Sequence, residues 1–494
     1  MVIQFLKRLP ITPVLCTALG AVIGFYILFH AILPVTITVL LLFIAAFNFL
    51  MILSSLNVQS RILKLYSVCA AALTVGLVIG VCAASAGQKK ISFGLPEKQI
   101  TGIEGVLLED PRIISGGKAI VTVSLRKCAA GSTSRATGRG EITVFFPREI
   151  AEKLKHFGRG TVIFAEGSLR SNERGNSGPS WSVSAKSLHV IKPPPPIERM
   201  RTGIRLNLIK RFGGKPWGGL ALALLLGIKD NLDTELAVMY RNAGLSYILA
   251  LSGMHLAILA ALITFLLKKP LGLKASAICG AAIILLYCFL VGSMPSLNRA
   301  AMMYILGVLA VLGALPKKPL SILSLSFIIQ IIVTPSAGNS ISFILSYLAL
   351  LGILIIGKPL SSLFTGKAPD FLLQPLAISC GAFLATAGVC GSTFGILAPV
   401  GIITGLVMVP LTTIFMIGSI VWLVLDFISL SALLNWPLSV LYRLMEIIVS
   451  VSGKIPGIST DALLLIILSL VFSLLIIVFE YRRHLSLLRP EPFL

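Results

Sequence analysis

The sequence predicts an α-helical polytopic membrane protein of roughly 10 to 12 spans, with one small all-β, OB-like extracytoplasmic domain inserted after the first spans. Hydropathy predicts the helical part, because 56% of the 494 residues are apolar and only 12% are charged, about half the charged share of soluble globular proteins. Periodicity predicts the inserted part, because residues 87–196 replace long apolar runs with the two-residue alternation of β-strands.

The N-terminal unit, residues 1–86, is predicted to be a group of transmembrane spans. Three apolar runs approach the length of about 20 residues that a bilayer requires, and they cover residues 14–29, 35–53 and 65–84. Lys7 and Arg8 precede the first run, and no small-residue cleavage site follows it, so we interpret the run as a retained anchor. Arg61 and Lys64 place their loop in the cytoplasm, so the chain leaves the third span on the outer side.

The second unit, residues 87–196, is predicted to be an OB-like barrel that ends in a proline linker. Between residues 118 and 127, Val121, Val123 and Leu125 alternate with polar residues, which is typical of a half-buried strand. Similar runs cover residues 101–108, 141–146, 161–168 and 181–190, with turn-rich stretches at 131–140 and 171–180. Five strands in about 100 residues suit a small barrel such as the OB fold. The prolines at 193–196 form a stiff spacer.

The third unit, residues 197–217, is predicted to be a basic amphipathic helix. Five apolar residues recur at helical spacing, and they are Ile197, Met200, Ile204, Leu208 and Phe212. Basic residues occupy the other faces, and they are Arg199, Arg201, Arg205, Lys210 and Arg211. A helix of this kind is suited to lie on an anionic surface.

The fourth unit, residues 218–494, is predicted to be the main transmembrane domain. Its first apolar run, residues 218–228, is too short to span and is interpreted as a re-entrant or obliquely buried helix. Single spans are predicted at residues 245–267, 278–291, 300–315, 322–333, 341–356, 372–389 and 462–479, and residues 435–457 are left unassigned. Pro410 interrupts residues 397–425, which we interpret as two spans.

Lysines between these spans set the predicted orientation. The lysines placed inside by the positive-inside rule are Lys268, Lys269, Lys274, Lys317, Lys318, Lys358 and Lys367. With these inside, residues 292–299 and 335–340 become outer loops, and residues 230–255 begin at the outer face. All three stretches are rich in small and polar residues. We predict that they form one mouth on the side that carries the barrel.

One stretch resembles a known family. Residues 244–255 read Gly-Leu-Ser-Tyr-Ile-Leu-Ala-Leu-Ser-Gly-Met-His, and residues 224–230 read Leu-Leu-Leu-Gly-Ile-Lys-Asp. Together they resemble the signature of the ComEC family of competence channels, and residues 292–299 resemble a further motif of that family. The resemblance implies a channel of the bacterial inner membrane that takes up single-stranded DNA during natural transformation. It also implies an OB-like domain, a cytoplasmic helicase-like ATPase as motor and an outer DNA receptor.

The chain is predicted to be a channel and not an enzyme. Many ComEC-like proteins carry a metallo-β-lactamase-like nuclease domain, but the sequence has no His-x-His-x-Asp-His motif, so we expect any strand degradation to need a separate nuclease. Residues 352–358 fail as a phosphate loop because Pro359 replaces the required Ser or Thr. The histidines are isolated, and Asp230, Asp233 and Glu235 are interpreted as helix-capping acids, so we expect no metal and no other cofactor.

Ser252, Gly253 and His255 are predicted to line the channel together with Gly244. Ser252 and His255 are three residues apart and would share one helix face, and polar residues within a membrane usually point into the bundle or toward water. The glycines would permit a helix break or a close helix contact. Interhelical hydrogen bonding by Ser252 and His255 stays open, and so does nucleophilic catalysis.

Arg299 is predicted to stand at the mouth together with Arg241 and Ser296. The helix dipole disfavours a cation at a helix start, but a cation beside free amides could hold a phosphate there. The alternative for Arg299 is that its side chain snorkels to the membrane interface.

The basic charge of residues 87–215, with 23 Lys and Arg against 10 Asp and Glu, predicts a surface for single-stranded DNA. The predicted contact residues are Arg126, Lys127, Arg148, Arg159, Arg170 and Lys186. Base stacking or core packing is expected of the aromatic residues Phe145, Phe146, Phe164 and Trp181. For the helix at 197–217, contact with lipid headgroups and guidance of DNA both stay open.

Two other function classes stay open. A small-solute transporter would be expected to show an internal repeat with paired broken helices, and only one signature block is clear in this sequence. A membrane-embedded hydrolase would need Ser252 or His255 for turnover. The lipid bilayer is a partner in every case, and homo-oligomerisation is left open.

Overall fold

The structure is a computed structural model that describes residues 13–28, 61–87, 91–114, 117–130, 134–173, 179–292, 294–315, 318–364 and 369–458. The spans predicted at residues 35–53 and 462–479 lie outside these ranges.

Two helices with glycine-lined faces pack closely at the N-terminus. Helix α1 (Pro13–Val22) continues as a π-helix over Ile23–Leu28, and α2 covers Arg61–Gly87. A Cβ atom at Gly20 would collide with the carbonyl oxygen of Leu73, so the two backbones can approach this closely only with glycine there. At the end of α2, Gly87 lies against Pro335. The 335–340 loop therefore lies at the end of the bundle from which α2 leads into the β domain.

The inserted domain is a closed five-strand barrel. Its elements in chain order are β1 (Ser92–Phe93), β2 (Gly102–Leu107), β3 (Arg112–Ile113), β4 (Ala119–Ala130), β5 (Ser134–Arg139), β6 (Glu141–Phe146), α3 (Arg148–Leu154), β7 (Val162–Glu173) and β8 (Pro179–Lys192). The ring runs β2–β4–β6–β8–β7–β2, and only β6 and β8 pair in parallel. This order, with a helix between the third and fourth barrel strands, is that of an OB fold, so the OB-like domain is confirmed.

The barrel core follows the predicted alternation. Val121, Val123 and Leu125 of β4 are each at most 4% exposed, and Ile142 and Val144 of β6 pack in the same core. Each strand buries one face and carries polar residues on the other. The sheet can therefore close into a small barrel around an apolar core.

The predicted turn at residues 131–140 is wrong for residues 134–139, which form β5. This strand pairs with the end of β4 in the register Cys128↔Ala136, and β1 pairs with β5 in turn. Its sequence, Ser-Arg-Ala-Thr-Gly-Arg, has no apolar alternation, so it is held mainly by the backbone ladder. The predicted turn at 171–180 is also shorter than expected, because β7 extends to Glu173 and β8 begins at Pro179.

Two helices connect the barrel to the signature stretch. Helix α4 (Pro196–Phe212) covers most of the stretch predicted as a helix at 197–217 and ends earlier, and α5 (Gly218–Leu226) follows it. Leu220, Leu222 and Leu224 of α5 are at most 1% exposed, which confirms a short buried helix at 218–228. Gly227 ends α5 in the left-handed conformation, with φ of 69°. Two short helices, α6 (Thr234–Asn242) and α7 (Ser246–Leu249), come next.

Seven of the described helices are long and apolar enough to cross a membrane. After α7 the chain forms α8 (Gly253–Val291), α9 (Pro295–Leu312), α10 (Pro319–Val333), α11 (Ile341–Gly352, continued by a π-helix over Ile353–Gly357), α12 (Lys358–Phe364), α13 (Asp370–Phe394), α14 (Val400–Phe427) and α15 (Ala432–Ser452). Helix α8 has 39 residues and kinks at Gly272. Ile263, before the kink, lies 3.7 Å from the point that a Cβ atom at Gly280, after the kink, would occupy. The two halves of α8 therefore lie side by side, as expected for the two predicted spans.

Helix α14 contradicts the prediction of two spans at residues 397–425. It is one helix of 28 residues that contains Pro410. Proline removes one backbone hydrogen bond, but membrane helices tolerate it where neighbouring elements hold the helix. Met408 and Phe415, on either side of Pro410, are fully buried. The unassigned stretch at 435–457 is largely α15.

Candidate functional site

Asp110 links the barrel to the membrane domain. It lies in the loop between β2 and β3, and its Oδ2 accepts from Arg201 Nη2 at 2.6 Å and from Arg205 Nη1 at 2.7 Å. The same two arginines donate to the last carbonyl groups of α8, Arg201 Nε to Leu290 O at 3.2 Å and Arg205 Nη1 to Val291 O at 2.8 Å. We call these five residues the Asp110 bridge. It seats the barrel on the turn between α8 and α9.

The Asp110 bridge is largely withdrawn from solvent, since the side chain of Arg201 is 3% exposed and that of Asp110 is 21% exposed. Burial acts to lower the pKa of Arg201, but the charges of Asp110 and Glu198 outweigh burial, and the pKa of Arg201 is raised. Burial lowers the pKa of Arg205, and Asp110 opposes that shift. Arginine stays ionised at physiological pH under shifts of this kind. The bridge is therefore an ion pair with two cations on one carboxylate.

Helix α4 exposes the N-terminal half of its apolar stripe and buries part of its basic face. Ile197 and Met200 are 58% and 57% exposed, in agreement with the interpretation that this half contacts lipid. Leu208 and Phe212 instead pack in the core of the membrane domain. Arg201 and Arg205 belong to the Asp110 bridge, and Arg211 Nη1 pairs with Asp426 Oδ2 at 2.5 Å. These three arginines are therefore not free for lipid headgroups or DNA, and the prediction of an open basic face is wrong for them.

The signature stretch breaks between α7 and α8. Helix α7 ends at Leu249, and α8 begins at Gly253 behind Ser252, which caps it. Ser252 Oγ accepts from Met254 N at 3.3 Å, and His255 Nδ1 accepts from Ser252 N at 3.1 Å. The pair is a capping box in which histidine takes the place of the usual Glu or Gln. The prediction that Ser252 and His255 share one helix face is wrong, because Ser252 stands just outside the helix.

Arg299 lies inside the membrane domain. Its side chain is 8% exposed, which excludes the snorkelling alternative. Arg299 Nη1 donates to the carbonyl oxygen of Ser346, and its guanidinium lies 5.7 Å from the ring centroid of Tyr347. A Cβ atom at Gly253 would be 2.9 Å from Arg299 Nη2. Gly253 therefore leaves the space in which the guanidinium lies against the start of α8.

A hydrogen-bond network joins α9, α10 and α11 beside Arg299. Ser296 Oγ lies 3.1 Å from Ser346 Oγ, and Gln330 Nε2 donates to Pro295 O at 3.2 Å. Tyr347 Oη donates to Gln330 Oε1 at 3.0 Å. Gln330, Ser346 and Tyr347 were not predicted from the sequence, although an isolated polar residue in an apolar span is itself a signal of function or of packing between helices.

The polar cluster is the name we give to Ser252, Gly253, His255, Ser296, Arg299, Gln330, Ser346 and Tyr347. It lies next to the Asp110 bridge along the chain, because Ser296 in the first turn of α9 follows Gly292 by four residues, and a Cβ atom at Gly292 would be 2.8 Å from Arg201 Nη2. Five predicted lining residues meet in this cluster. Gly244 does not, since it has φ of 71° and lies against Ala398 and Gly401 at the start of α14, and the exposed Arg241 lies at the end of α6.

The predicted DNA contacts of the barrel all lie on its surface. The exposed side chains are those of Arg126, Lys127, Arg148, Arg159, Arg170 and Lys186. Lys127 Nζ lies 3.8 Å from Glu104 Oε1, which partly offsets its charge. Phe146 is 1% exposed in the core, so the stacking alternative is wrong for it. Trp181 packs edge-on against Phe93, with 5.2 Å between the ring centroids.

The acidic residues after α5 act in part as predicted. Asp233 caps α6, since its Oδ1 accepts from Glu235 N at 2.9 Å. Asp230 instead lies beside the backbone N–H of Ile113, at the barrel loop that carries Asp110. Within the described ranges, no group of three or more His, Cys, Asp or Glu side chains could hold a metal ion.

The apolar helices, the docked OB-like barrel and the polar cluster define a multi-pass membrane protein with a basic soluble domain seated on its helical bundle. The family model described as Competence protein matches residues 224–484, more than half of the chain and the whole polar cluster. The chain therefore belongs to the Competence protein family, and the resemblance noted at residues 224–255 is confirmed.

Two curated relatives match part of the chain. An uncharacterised protein of Aquifex aeolicus (strain VF5) is 29% identical over 240 residues, which cover 48% of this chain and 55% of that protein. ComE operon protein 3 of Bacillus subtilis (strain 168) is 26% identical over 194 residues, which cover 37% of this chain and 25% of that protein. The chain thus spans about half or less of the length of these relatives.

Proposed function

We propose that this protein is a channel of the bacterial cytoplasmic membrane that admits single-stranded DNA during natural transformation. The observation that carries the proposal is a buried, positively charged polar cluster next to the turn on which a basic OB-like barrel is docked. Membership of the Competence protein family and similarity to ComE operon protein 3 support a role in competence.

The proposed path begins at the barrel. OB folds hold single strands with a cationic groove and aromatic side chains, and the exposed arginines and lysines of this barrel are suited to that task. We place the barrel outside the cell because the lysine-rich loops of the helical domain are expected inside. A strand leaving the barrel would next meet the half-buried Ser252, Gly253 and Ser296 of the polar cluster. The cluster offers polar groups where the strand loses contact with bulk water.

Transport in this direction needs an external source of energy. With a negative cell interior, each phosphate that crosses the full membrane potential is opposed by about 2.3 kcal/mol per 100 mV. We propose that a cytoplasmic helicase-like ATPase pulls the strand, that an outer DNA receptor delivers it, and that a separate nuclease removes the complementary strand. The protein itself would act as a passive conduit.

Complementation tests the proposal directly. A naturally transformable strain that lacks its own Competence-family gene is supplied with this chain, and the entry of fluorescently labelled DNA into the cytoplasm is measured. We expect this chain to restore uptake. Absence of uptake, with the protein present in the membrane fraction and the partner ATPase expressed, would argue against a DNA channel.

Gly253→Ala is expected to reduce uptake by about tenfold or more while the protein stays folded. The added Cβ atom would push Arg299 Nη2, 2.9 Å away, out of its place at the start of α8. Alanine favours a helix over glycine by up to about 1 kcal/mol, so the melting temperature should not fall. The matched control is Gly307→Ala on α9, where an added Cβ atom meets nothing within 4 Å. Equal uptake by the two variants would exclude a role for this contact.

Binding of single-stranded DNA to the full-length protein in detergent is expected to weaken steeply with salt. For single strands, the slope of log K against log salt is about −0.7 for each phosphate contacted. Replacing both Arg126 and Arg170 by Gln should make the slope shallower by about 1.4 if each contacts one phosphate. Lys153→Gln, an exposed lysine on α3, is the control. Affinity that does not respond to salt would remove the barrel as a capture surface.

One contact favours a second function, that of a membrane-embedded hydrolase. Ser252 Oγ lies 3.1 Å from His255 Nδ1, a distance at which histidine can activate a serine. The same Nδ1 already accepts from Ser252 N, and the contact is explained by the helix cap. The hydrolase requires that Ser252→Ala abolish turnover of a peptide or lipid substrate and leave DNA uptake unchanged. The channel has no such requirement.

A further inference from the structure

We propose that Arg299 and the first turn of α8 form a binding site for a single phosphodiester. The inference rests on the proposed function, because it assigns to the channel entrance a place where one backbone phosphate of the strand is held during transit. Three observations support it, namely the unbalanced charge of Arg299, the buried Arg299 Nε without a partner, and the position of the guanidinium against the start of α8.

The first observation is a buried positive charge without a counterion. Arg299 is 8% exposed, and its contacts are a neutral carbonyl group and an aromatic ring. Among the ion pairs of the described residues, none includes Arg299. By contrast, Arg201, which is buried to a similar degree, is paired with both Asp110 and Glu198. Buried charges in proteins are normally paired, so Arg299 lacks the anion that its burial requires.

The second observation is an unused donor on the same side chain. Arg299 Nε is buried and has no hydrogen-bond partner in the part of the chain that the structure describes. Buried donors without a partner are rare in native proteins, and a bound ion is one of the few explanations.

The third observation is the position of the guanidinium. Arg299 Nη2 lies against Gly253, the first residue of α8, whose first turn also contains His255. A helix start carries a partial positive charge and favours anions. The positive end of α8 and the guanidinium thus lie together, and no acidic side chain among the described residues forms an ion pair with Arg299. An anion placed there would be stabilised by both.

The donors identify the anion as a phosphodiester. A guanidinium presents several N–H donors in one plane and matches an anion with several oxygen atoms, such as phosphate. A phosphodiester carries one negative charge, which balances the single charge of Arg299. Weak binding is expected, because a site in a conducting path must release its ligand as readily as it captures it. Ser252 and Ser296 of the polar cluster are half-buried, and we place the entry of the anion beside them.

The test uses the full-length protein in a phosphate-free detergent, with dimethyl phosphate as the probe. We expect dimethyl phosphate to raise the melting temperature and uncharged trimethyl phosphate to leave it unchanged. Arg299→Gln should weaken binding by at least about tenfold, as expected for the loss of a charged hydrogen bond. Lys269→Gln, which removes an exposed cation elsewhere on α8, should bind as the wild type does.

Two further variants keep the test decisive if Arg299→Gln does not fold. Arg299→Lys keeps the charge but loses the planar fork, and Gly253→Ala adds a Cβ atom 2.9 Å from Arg299 Nη2. Both should bind dimethyl phosphate more weakly than the wild type.

Competition identifies the source of the phosphodiester. A short single-stranded oligonucleotide should displace dimethyl phosphate, and its uncharged methylphosphonate analogue should not. Displacement by phosphatidylglycerol alone would overturn the assignment to DNA in favour of a lipid headgroup, and displacement by inorganic phosphate alone would overturn it in favour of the free ion. No response of the wild type to dimethyl phosphate would overturn the site itself. Uptake by the complemented strain would in that case leave the proposed channel standing.

Discussion

Asp110→Asn is expected to lower the stability of the seated barrel by about 2–5 kcal/mol, the usual cost of removing one partner of a buried charge pair at an interface. Asp110 Oδ2 accepts from Arg201 at 2.6 Å and from Arg205 at 2.7 Å, and the side chain of Arg201 is only 3% exposed. Asparagine is nearly the same size but carries no charge. Arg201 would keep Glu198 as a partner, and Arg205 would lose its ion pair.

The neighbouring residue supplies a matched control for this prediction. Glu109 pairs with Arg112 at 2.6 Å, but their side chains are 44% and 61% exposed. A surface pair of this kind contributes about 0–1 kcal/mol, so Glu109→Gln should have little effect. Both variants are compared by thermal unfolding of the full-length protein and by protease cleavage at the linker near residue 193. Cleavage should be faster only in Asp110→Asn.

A double variant separates the ion pair from the shape of the interface. Asp110→Asn is expected to destabilise the protein because it leaves cations unpaired. If so, the variant that also lacks Arg205 should be destabilised by less than the sum of the two single effects. The double variant Asp110→Asn/Arg205→Met is therefore expected to lose less stability than the sum of the two single losses. Strict additivity, or an Asp110→Asn variant as stable as Glu109→Gln, would show that the barrel is held by other contacts.

The Asp110 bridge also shows where prediction from sequence ends. Alternation along β4 predicted the barrel, and apolar spacing predicted α4, because both signals are local and repeat along the chain. Asp110, the partner of Arg201 in the barrel, is 91 positions away, and no periodic pattern connects the two residues. The basic residues of α4 were therefore interpreted as a surface for lipid or DNA. Their pairing depends on how the barrel docks, which only tertiary structure determines.

Errors within single elements have local causes. β5 was missed because it is held by backbone hydrogen bonds to β4, which leave no apolar alternation to detect. Helix α14 was divided at Pro410 because proline is a helix breaker in water, whereas packing in the bundle keeps this helix continuous. Ser252 and His255 were placed on one helix face because the capping box usually ends in Glu or Gln, and histidine in that position was not considered.

The candidate site was predictable in part, for a related reason. Ser252, Gly253, His255, Ser296 and Arg299 were found because polar residues in apolar sequence are conspicuous, and they meet in the structure. Gln330, Ser346 and Tyr347 are similarly isolated, but they lie outside the stretches that resemble family motifs. Gly244 resembled its neighbours in sequence, yet it makes a backbone contact with the start of α14. Residues of one sequence motif therefore do not all belong to the same site in the structure.

Arg299→Glu is expected to lower DNA uptake by about 100-fold or more while the protein still reaches the membrane. A carboxylate at this position would repel each phosphate that passes. A like-charge contact in a buried site costs several kcal/mol. A 100-fold loss of uptake corresponds to about 2.7 kcal/mol, which is within that cost. The control is Lys269→Glu, the same charge reversal at an exposed lysine. Net charge changes equally in both variants, so a difference in uptake reports the position and not the total charge.

Folding must be monitored alongside uptake, because the carboxylate would also face the carbonyl oxygen of Ser346, which now accepts from Arg299. The measurements are the transformation frequency, the amount of protein in the membrane fraction and its melting temperature in detergent. If Arg299→Glu is absent from the membrane, Arg299→Gln takes its place with a smaller expected loss. Wild-type uptake by a stable Arg299→Glu protein would show that the strand does not pass this residue. An equal loss in Lys269→Glu would instead assign the effect to the overall charge of the helical domain.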